Sequence, residues 1–264
     1  MTQQRYRLIA DELETEIAVM APGTKLDSEH TLMKRFGVGH AAARAAVQEL
    51  ERRLRVRRVQ GAGTFVTKRI DYVISHDRPP SWHRTVRAAG GDPRSVILER
   101  DVLPLPANCA VLLELPEGTP THRLVRVSYI DDAVAGTAVE WVVREAVPDL
   151  GDAMRVEESL DEVLRQVGHV EAVRSWCRTA SDIPPPEVQQ RLELASAVPV
   201  WVVESVNRDP STGRPLTYST AWMRGDAVRV VMEIGSPTSV REDTPDPAEP
   251  FSHIDVDPKE VAYK

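Results

Sequence analysis

The sequence predicts an α+β protein in two parts: a small helical head closed by a hairpin, and a larger domain on a mainly antiparallel sheet. Three observations predict it. Apolar residues recur at helical spacing from Tyr6 to Leu54. Two short extended runs follow, joined by Gln60-Gly61-Ala62-Gly63. From Ser95 to Gly235, β-rich runs alternate with a few helical ones.

In the head, Leu8, Ile9, Leu13, Ile17 and Met20 mark a first helix from Tyr6 to Met20, which Ala21-Pro22-Gly23 ends. Ser28 reads as the N-cap of a second helix with Leu32, Met33 and Phe36 on its apolar face. Gly37-Val38-Gly39 makes a sharp turn. The alanine-rich third helix runs from His40 to Arg53 and turns Ala43, Val47, Leu50 and Leu54 inward. Val56–Val59 and Thr64–Thr67 are short strands around the glycine tip. Three helices and a two-stranded wing in residues 1–70 describe a winged helix-turn-helix. In that arrangement the third helix enters the DNA major groove, and a glycine tip lets the backbone approach phosphates.

Charge fits this division. The chain carries a net −7, yet residues 1–70 hold 13 Lys+Arg against 8 Asp+Glu, leaving 20 against 32 for the rest of the 33 basic and 40 acidic residues. A basic head on an acidic body suits a nucleic-acid module joined to a domain with another task.

Residues 71–80 read as a linker, stiffened by Pro79-Pro80. Residues 81–235 form the second domain. It begins with a short helix from Ser81-Trp82-His83 to Gly90-Gly91. Its expected strands are Val96–Val102, His122–Tyr129, Ala138–Arg144, Val170–Ala180, Val200–Arg208, Pro215–Trp222 and Val228–Glu233. Expected helices are Ala107–Leu115, Leu160–Val167 and Pro186–Leu194. Residues 236–264, with five prolines and seven acids, read as a disordered acidic tail.

Several classes of function are disfavoured. Cys109 and Cys177 form no CxxC pair and no disulfide framework, which fits a reducing cytoplasm. No apolar run suits a membrane span or a signal peptide. The seven histidines form no HxH or HExxH pair, and GxSxG, P-loop and post-strand GxGxxG motifs are missing, so neither a metal, a cofactor nor an enzyme is expected. Cys177, beside Trp176 in an expected strand, reads as packing rather than a nucleophile.

The head resembles the GntR family of bacterial regulators. The resemblance is carried by Tyr6 to Ile17, Pro22-Gly23-Thr24-Lys25-Leu26, Ser28-Glu29, Phe36-Gly37-Val38, Arg44, Leu50-Glu51 and Gln60-Gly61-Ala62-Gly63-Thr64-Phe65-Val66. The second domain resembles the UTRA effector domain of the HutC subfamily, which has a chorismate-lyase-like fold. Its landmarks are Ser81-Trp82-His83 with Gly90, Leu124-Val125-Arg126, Glu140, Ser159-Leu160, Arg174, Ala180, Gly213-Arg214-Pro215-Leu216 and Trp222-Met223-Arg224-Gly225-Asp226. The chain departs from the family where Gly39-His40-Ala41-Ala42-Ala43-Arg44 replaces a stretch richer in arginine and hydroxyls. It also departs at His30, at Asp27, and at Leu54, where the family has a glycine suited to a left-handed cap.

The resemblance implies a regulator, expected as a repressor, that binds double-stranded operator DNA as a homodimer in the cytoplasm, associated with the nucleoid. DNA contact falls to Arg35, His40 and Arg44, and to Gln60, Gly61 and Gly63 of the wing. Arg44 can reach guanine or clamp a phosphate, and Arg35 can equally be a solvated charge. Arg52, Arg53, Arg55, Arg57 and Arg58 form a basic run that attracts phosphate or is simply a solvated face.

The resemblance also implies a small anionic effector held by Trp82, His83, Arg126, Glu140, Ser159, Arg174 and Trp222. Helix starts at Ser81 and Ser159 would add N–H groups. Core packing is the alternative for the tryptophans, and salt bridges for the arginines. A different reading of the whole chain is a divergent ligand-binding protein of this fold that has lost specific DNA recognition.

Overall fold

The computed structural model describes residues 2–59, 61–67, 69–75 and 80–234. In the head, α1 (Thr2–Ile17), α2 (Glu29–Phe36) and α3 (His40–Arg52) pack around Ile9, Leu13, Leu32, Val47 and Leu50. Ala43 and Ala46 are fully buried, and their small side chains let α3 lie close to α1. Ser28 caps α2 through Thr31 N (3.1 Å), and Gly37 ends it in the left-handed region at φ 58°. The expected Leu8 contact is not made: Leu8 is 64% exposed, because Ile9, Leu13 and Ile17 already fill the i, i+4 stripe facing α3.

Strands β1 (Val56–Val59) and β2 (Gly63–Val66) pair antiparallel, with Val56 opposite Val66 and Val59 opposite Gly63. The hairpin is tied to the helices by Leu26 N to Thr64 O and Val66 N to Thr24 O, both 2.8 Å. At the end of α3, Leu54 takes φ 57°, the conformation glycine would adopt without strain.

The segment expected as a linker begins instead as a strand. β3 (Ile70–Ile74) pairs in parallel with β10 (Val228–Met232), Ile70 opposite Val228 and Ile74 opposite Met232. The Pro79-Pro80 pair drew the sequence boundary, but Ile-Asp-Tyr-Val-Ile has β-branched residues enough to form a strand before it. Positions 76–79, the remainder of that linker expectation, lie outside the described residues, as do Gln60 and the expected tail at 236–264.

Helix α4 (Trp82–Ala88) then leads into a six-stranded antiparallel sheet. Its strands are β4 (Pro93–Pro104), β5 (Pro120–Ile130), β6 (Ala133–Val142), β7 (Val173–Asp182), β8 (Val200–Arg208) and β9 (Pro215–Met223), in the order β4-β5-β6-β9-β8-β7. The expected α+β class with a mainly antiparallel sheet is observed. One face is covered by α5 (Ala107–Leu113), packed on Trp141, Val206 and Tyr218, and by α8 (Pro186–Arg191), where Val188 meets Val127 and Val200. Over the other face lie α4, β3 and α7 (Leu160–Gln166); α7 is preceded by α6 (Leu150–Val156), a helix the sequence reading lacks. Among the described residues, no helix is long and apolar enough to cross a membrane.

Candidate functional site

Strand alternation builds the floor of a cavity. Ala138 and Glu140 of β6, Ser205 and Asn207 of β8, and Thr217, Ser219 and Ala221 of β9 occupy alternate positions and share one face. Small side chains there leave room above the sheet, a space of about 100 Å³. Tyr72 of β3, Trp82 and His83 of α4, and Ser159 and Leu160 at α7 close it from above.

Arg126 projects from β5. Its Nε and Nη2 each donate to one Glu140 carboxylate oxygen at 2.6 Å, and its Nη1 to the Glu158 carbonyl at 2.9 Å. Arg126 faces Ala138 across the strands, so Glu140 is its diagonal neighbour, a spacing long side chains bridge. Both side chains are about nine-tenths buried. A second lining carboxylate, Asp161, accepts from Arg84 at 2.8 Å.

Arg174 of β7 differs. Its Nη2 donates to the Tyr72 hydroxyl at 2.9 Å and the guanidinium lies 5.6 Å from the Tyr72 ring centroid, with no carboxylate partner among the described residues. Four buried side-chain polar atoms among the described residues lack a hydrogen-bond partner. Three of them, His83 Nε2, Arg174 Nε and Asn207 Oδ1, belong to residues lining this cavity. Burial, then the Arg126 charge, lower the pKa of His83 and so favour its neutral ring. Unsatisfied buried polar atoms are costly, and their concentration at one cavity suits a polar ligand.

Of the residues expected at the effector, the cavity brings together Trp82, His83, Arg126, Glu140, Ser159 and Arg174. Trp222 is the exception. It follows Ala221 on β9 and therefore points through the opposite face, where it packs with Val127, Val188 and Leu192. The caps themselves use some of the helix-terminus donors: Ser81 Oγ accepts from Arg84 N, Ser159 Oγ from Glu162 N, and Ser159 N donates to Glu157. Trp82, His83, Leu160 and Asp161, in the first turns of α4 and α7, line the cavity. Tyr72 and Asn207 escaped the sequence reading: Tyr72 fell in the expected linker, and Asn207 has no motif to mark it.

On the head, α3 exposes His40, Ala41, Arg44 and Gln48 along one stripe. Arg44 makes no ion pair among the described residues, and Gln48, missed from the sequence, is readable as its i+4 neighbour. His40 Nε2 lies 3.1 Å from Glu29. Arg35 is held by Glu16 (Nη1 to Oε2, 2.9 Å) and stacks on Phe36, so in the free head it is paired with the head's own carboxylate. Most of the basic run is self-paired in the same way. Arg52 and Arg53 bond Glu49, Arg53 and Arg55 bond Glu14, and Arg58 bonds Glu29; Arg57 makes no such pair among the described residues. Gly61 (φ 74°) and Gly63 (φ 126°) shape the wing tip, which a side chain at either position would strain.

Comparison with known proteins agrees with this two-part architecture. Residues 5–66 match the bacterial regulatory proteins of the gntR family, and residues 88–229 match the UTRA domain. The regulator GgaR of Escherichia coli K12 is 28% identical over 215 residues, covering 81% of this chain and 84% of its own. The mannosyl-D-glycerate transport/metabolism system repressor MngR of the same organism is 26% identical over 218 residues, covering 81% and 89%. The crystal structure of PhnF from Mycobacterium smegmatis superposes with a TM-score of 0.60 at 20% identity, over 86% of this chain and 99% of that one, and supports the fold. With a GntR DNA-binding head followed by a UTRA ligand-binding domain, this chain belongs to the GntR family of transcriptional regulators.

Proposed function

We propose that the protein is a metabolite-responsive repressor of the HutC subfamily, acting in the cytoplasm at the nucleoid. In this reading residues 1–70 bind DNA, and residues from the start of β3 onward sense a small anionic effector without catalysing a reaction. The observation that carries the reading is Arg174: an arginine only 8% exposed, lining a polar cavity, without a carboxylate partner among the described residues. Tyr72, the residue it contacts, sits on the strand that leads from the wing. A ligand that engages Arg174 therefore acts on the strand adjoining the DNA-binding head. That MngR is named a repressor supports the sign of the regulation.

Arg44 and Gln48 would face base edges or phosphates from α3, and Gly61 and Gly63 would bring the wing backbone to the DNA. One head covers one half-site, so a homodimer on a two-fold operator follows. The self-paired arginines of the head favour a second reading, a ligand-binding protein that no longer reads a specific site. Retardation of the DNA upstream of the gene separates the two. Specific, salt-sensitive binding with half-sites about one helical turn apart supports the repressor. Binding that is equal on unrelated DNA supports the second reading. Because the two sites are linked, an effector that releases DNA must bind the DNA-bound form more weakly by the same factor.

A further inference from the structure

Resting on the sensor reading above, we propose that the cavity takes a monocarboxylate with a hydroxyl on the adjacent carbon, a 2-hydroxy acid, rather than a phosphate ester. The charges lining the cavity decide between them. Arg126 is neutralised by Glu140 through two bonds of 2.6 Å, and Asp161 by Arg84 at 2.8 Å. Arg174 remains as one positive charge without a carboxylate partner among the described residues. One carboxylate balances Arg174. A phosphate monoester, carrying roughly −1.5 to −2 at neutral pH, would bury an excess of negative charge beside Glu140 and Asp161.

The positions of the unsatisfied atoms specify the rest. Arg174 and Asn207 are directly opposed in the β7–β8 register, so their side chains rise side by side from the same face. Arg174 offers an unused Nε–H and needs an acceptor. Asn207 donates Nδ2 to Thr217 Oγ1 at 2.8 Å and leaves Oδ1 needing a donor. A carboxylate oxygen and the hydroxyl on its neighbouring carbon present that acceptor and donor together. A free amino acid offers the same pair, but its ammonium cancels the carboxylate and leaves the Arg174 charge unbalanced. His83 Nε2, buried above them, meets a further polar group of the ligand.

The test is a thermal-shift and calorimetric panel on the full chain at equal concentrations. It uses lactate, D-glycerate and gluconate; serine; glycerol 3-phosphate and glucose 6-phosphate; and glycerol and glucose. A hydroxy acid should bind at least about tenfold more tightly than its phosphate, amino and neutral counterparts. Asn207→Ala should weaken that hydroxy acid about tenfold while leaving the 2-deoxy analogue (propionate for lactate) unchanged, and Arg174→Lys should weaken both. The ligand-free melting temperature of each variant shows that it folds. A phosphate ester or serine binding best overturns the proposal and leaves the sensor reading standing, as does indifference of the hydroxy acid to Asn207→Ala. Silence from every compound sinks both.

Discussion

The arginines of the head and those of the cavity follow opposite rules. In the head, Arg35, Arg52, Arg53, Arg55 and Arg58 lie at or near the surface and are paired with the head's own carboxylates, while Arg44 makes no ion pair among the described residues. In the cavity, Arg126 is buried and paired with Glu140, and Arg174 is buried and without a carboxylate partner among the described residues. Exposed ion pairs are each worth little and yield readily to a phosphate or to salt. Buried ones are costly to break and fix geometry. The paired arginines of the head therefore remain available to a phosphate, whereas of the two buried arginines of the cavity only Arg174 lacks a carboxylate partner among the described residues.

The comparison breaks most visibly at the Arg126–Glu140 pair. Glu140→Ala leaves a buried guanidinium without its carboxylate and should cost about 3–5 kcal/mol of stability, read in a denaturant melt. A loss below about 1 kcal/mol would mean that the pair is solvated like those of the head. Next in size is Arg44→Ala, which should weaken operator binding by about 1–3 kcal/mol if the side chain reaches a base, and also lower the salt slope if it reaches a phosphate. Arg52→Ala, on the same helix but paired with Glu49, should change affinity much less.

A pH titration sharpens the contrast further. His83 and His122 both have their pKa lowered from 6.5, in each case chiefly by burial. Each takes up a proton more readily when unfolded, so the stability they lend is complete above the unfolded value and is lost as pH falls below 6.5. The melting temperature should fall between pH 7 and pH 5.5, and His83→Gln should flatten that fall. A slope unchanged in both His83→Gln and His122→Gln would assign it elsewhere. The smallest effect is expected at Leu54→Gly. Relief of the left-handed strain should raise stability by less than about 1 kcal/mol, offset by the greater freedom glycine gives the unfolded chain. A clear fall in stability would show that the entropic cost outweighs the strain.

Much of this was legible in the residues themselves. Strand β8 has the expected bounds, and α3 ends one residue before the expected Arg53. Helical and two-residue periods are local signals, so elements that bury one face declare themselves. Partners across the sheet do not. Arg126 and Glu140 were both expected at the effector, but their mutual pairing depends on the β5–β6 register, which no local pattern states. Trp222 shows the converse. Its resemblance-based place in the pocket conflicts with the alternation of β9, where Ala221 and Met223 line the cavity. Tyr72 was hidden because its strand pairs with β10, more than 150 positions along the chain (Tyr72 opposite Val230).

That parallel pair has a mechanical consequence. β2 ends at Val66 and β3 begins at Ile70, leaving three intervening positions between the wing and a strand anchored to the sensor. Three residues extend at most roughly 10 Å, so the head hangs on a short leash. It can pivot about that leash but cannot travel far from it. Motion of the head relative to the sensor is then mainly rotation about the tether, with the lever arm set by the head's own size.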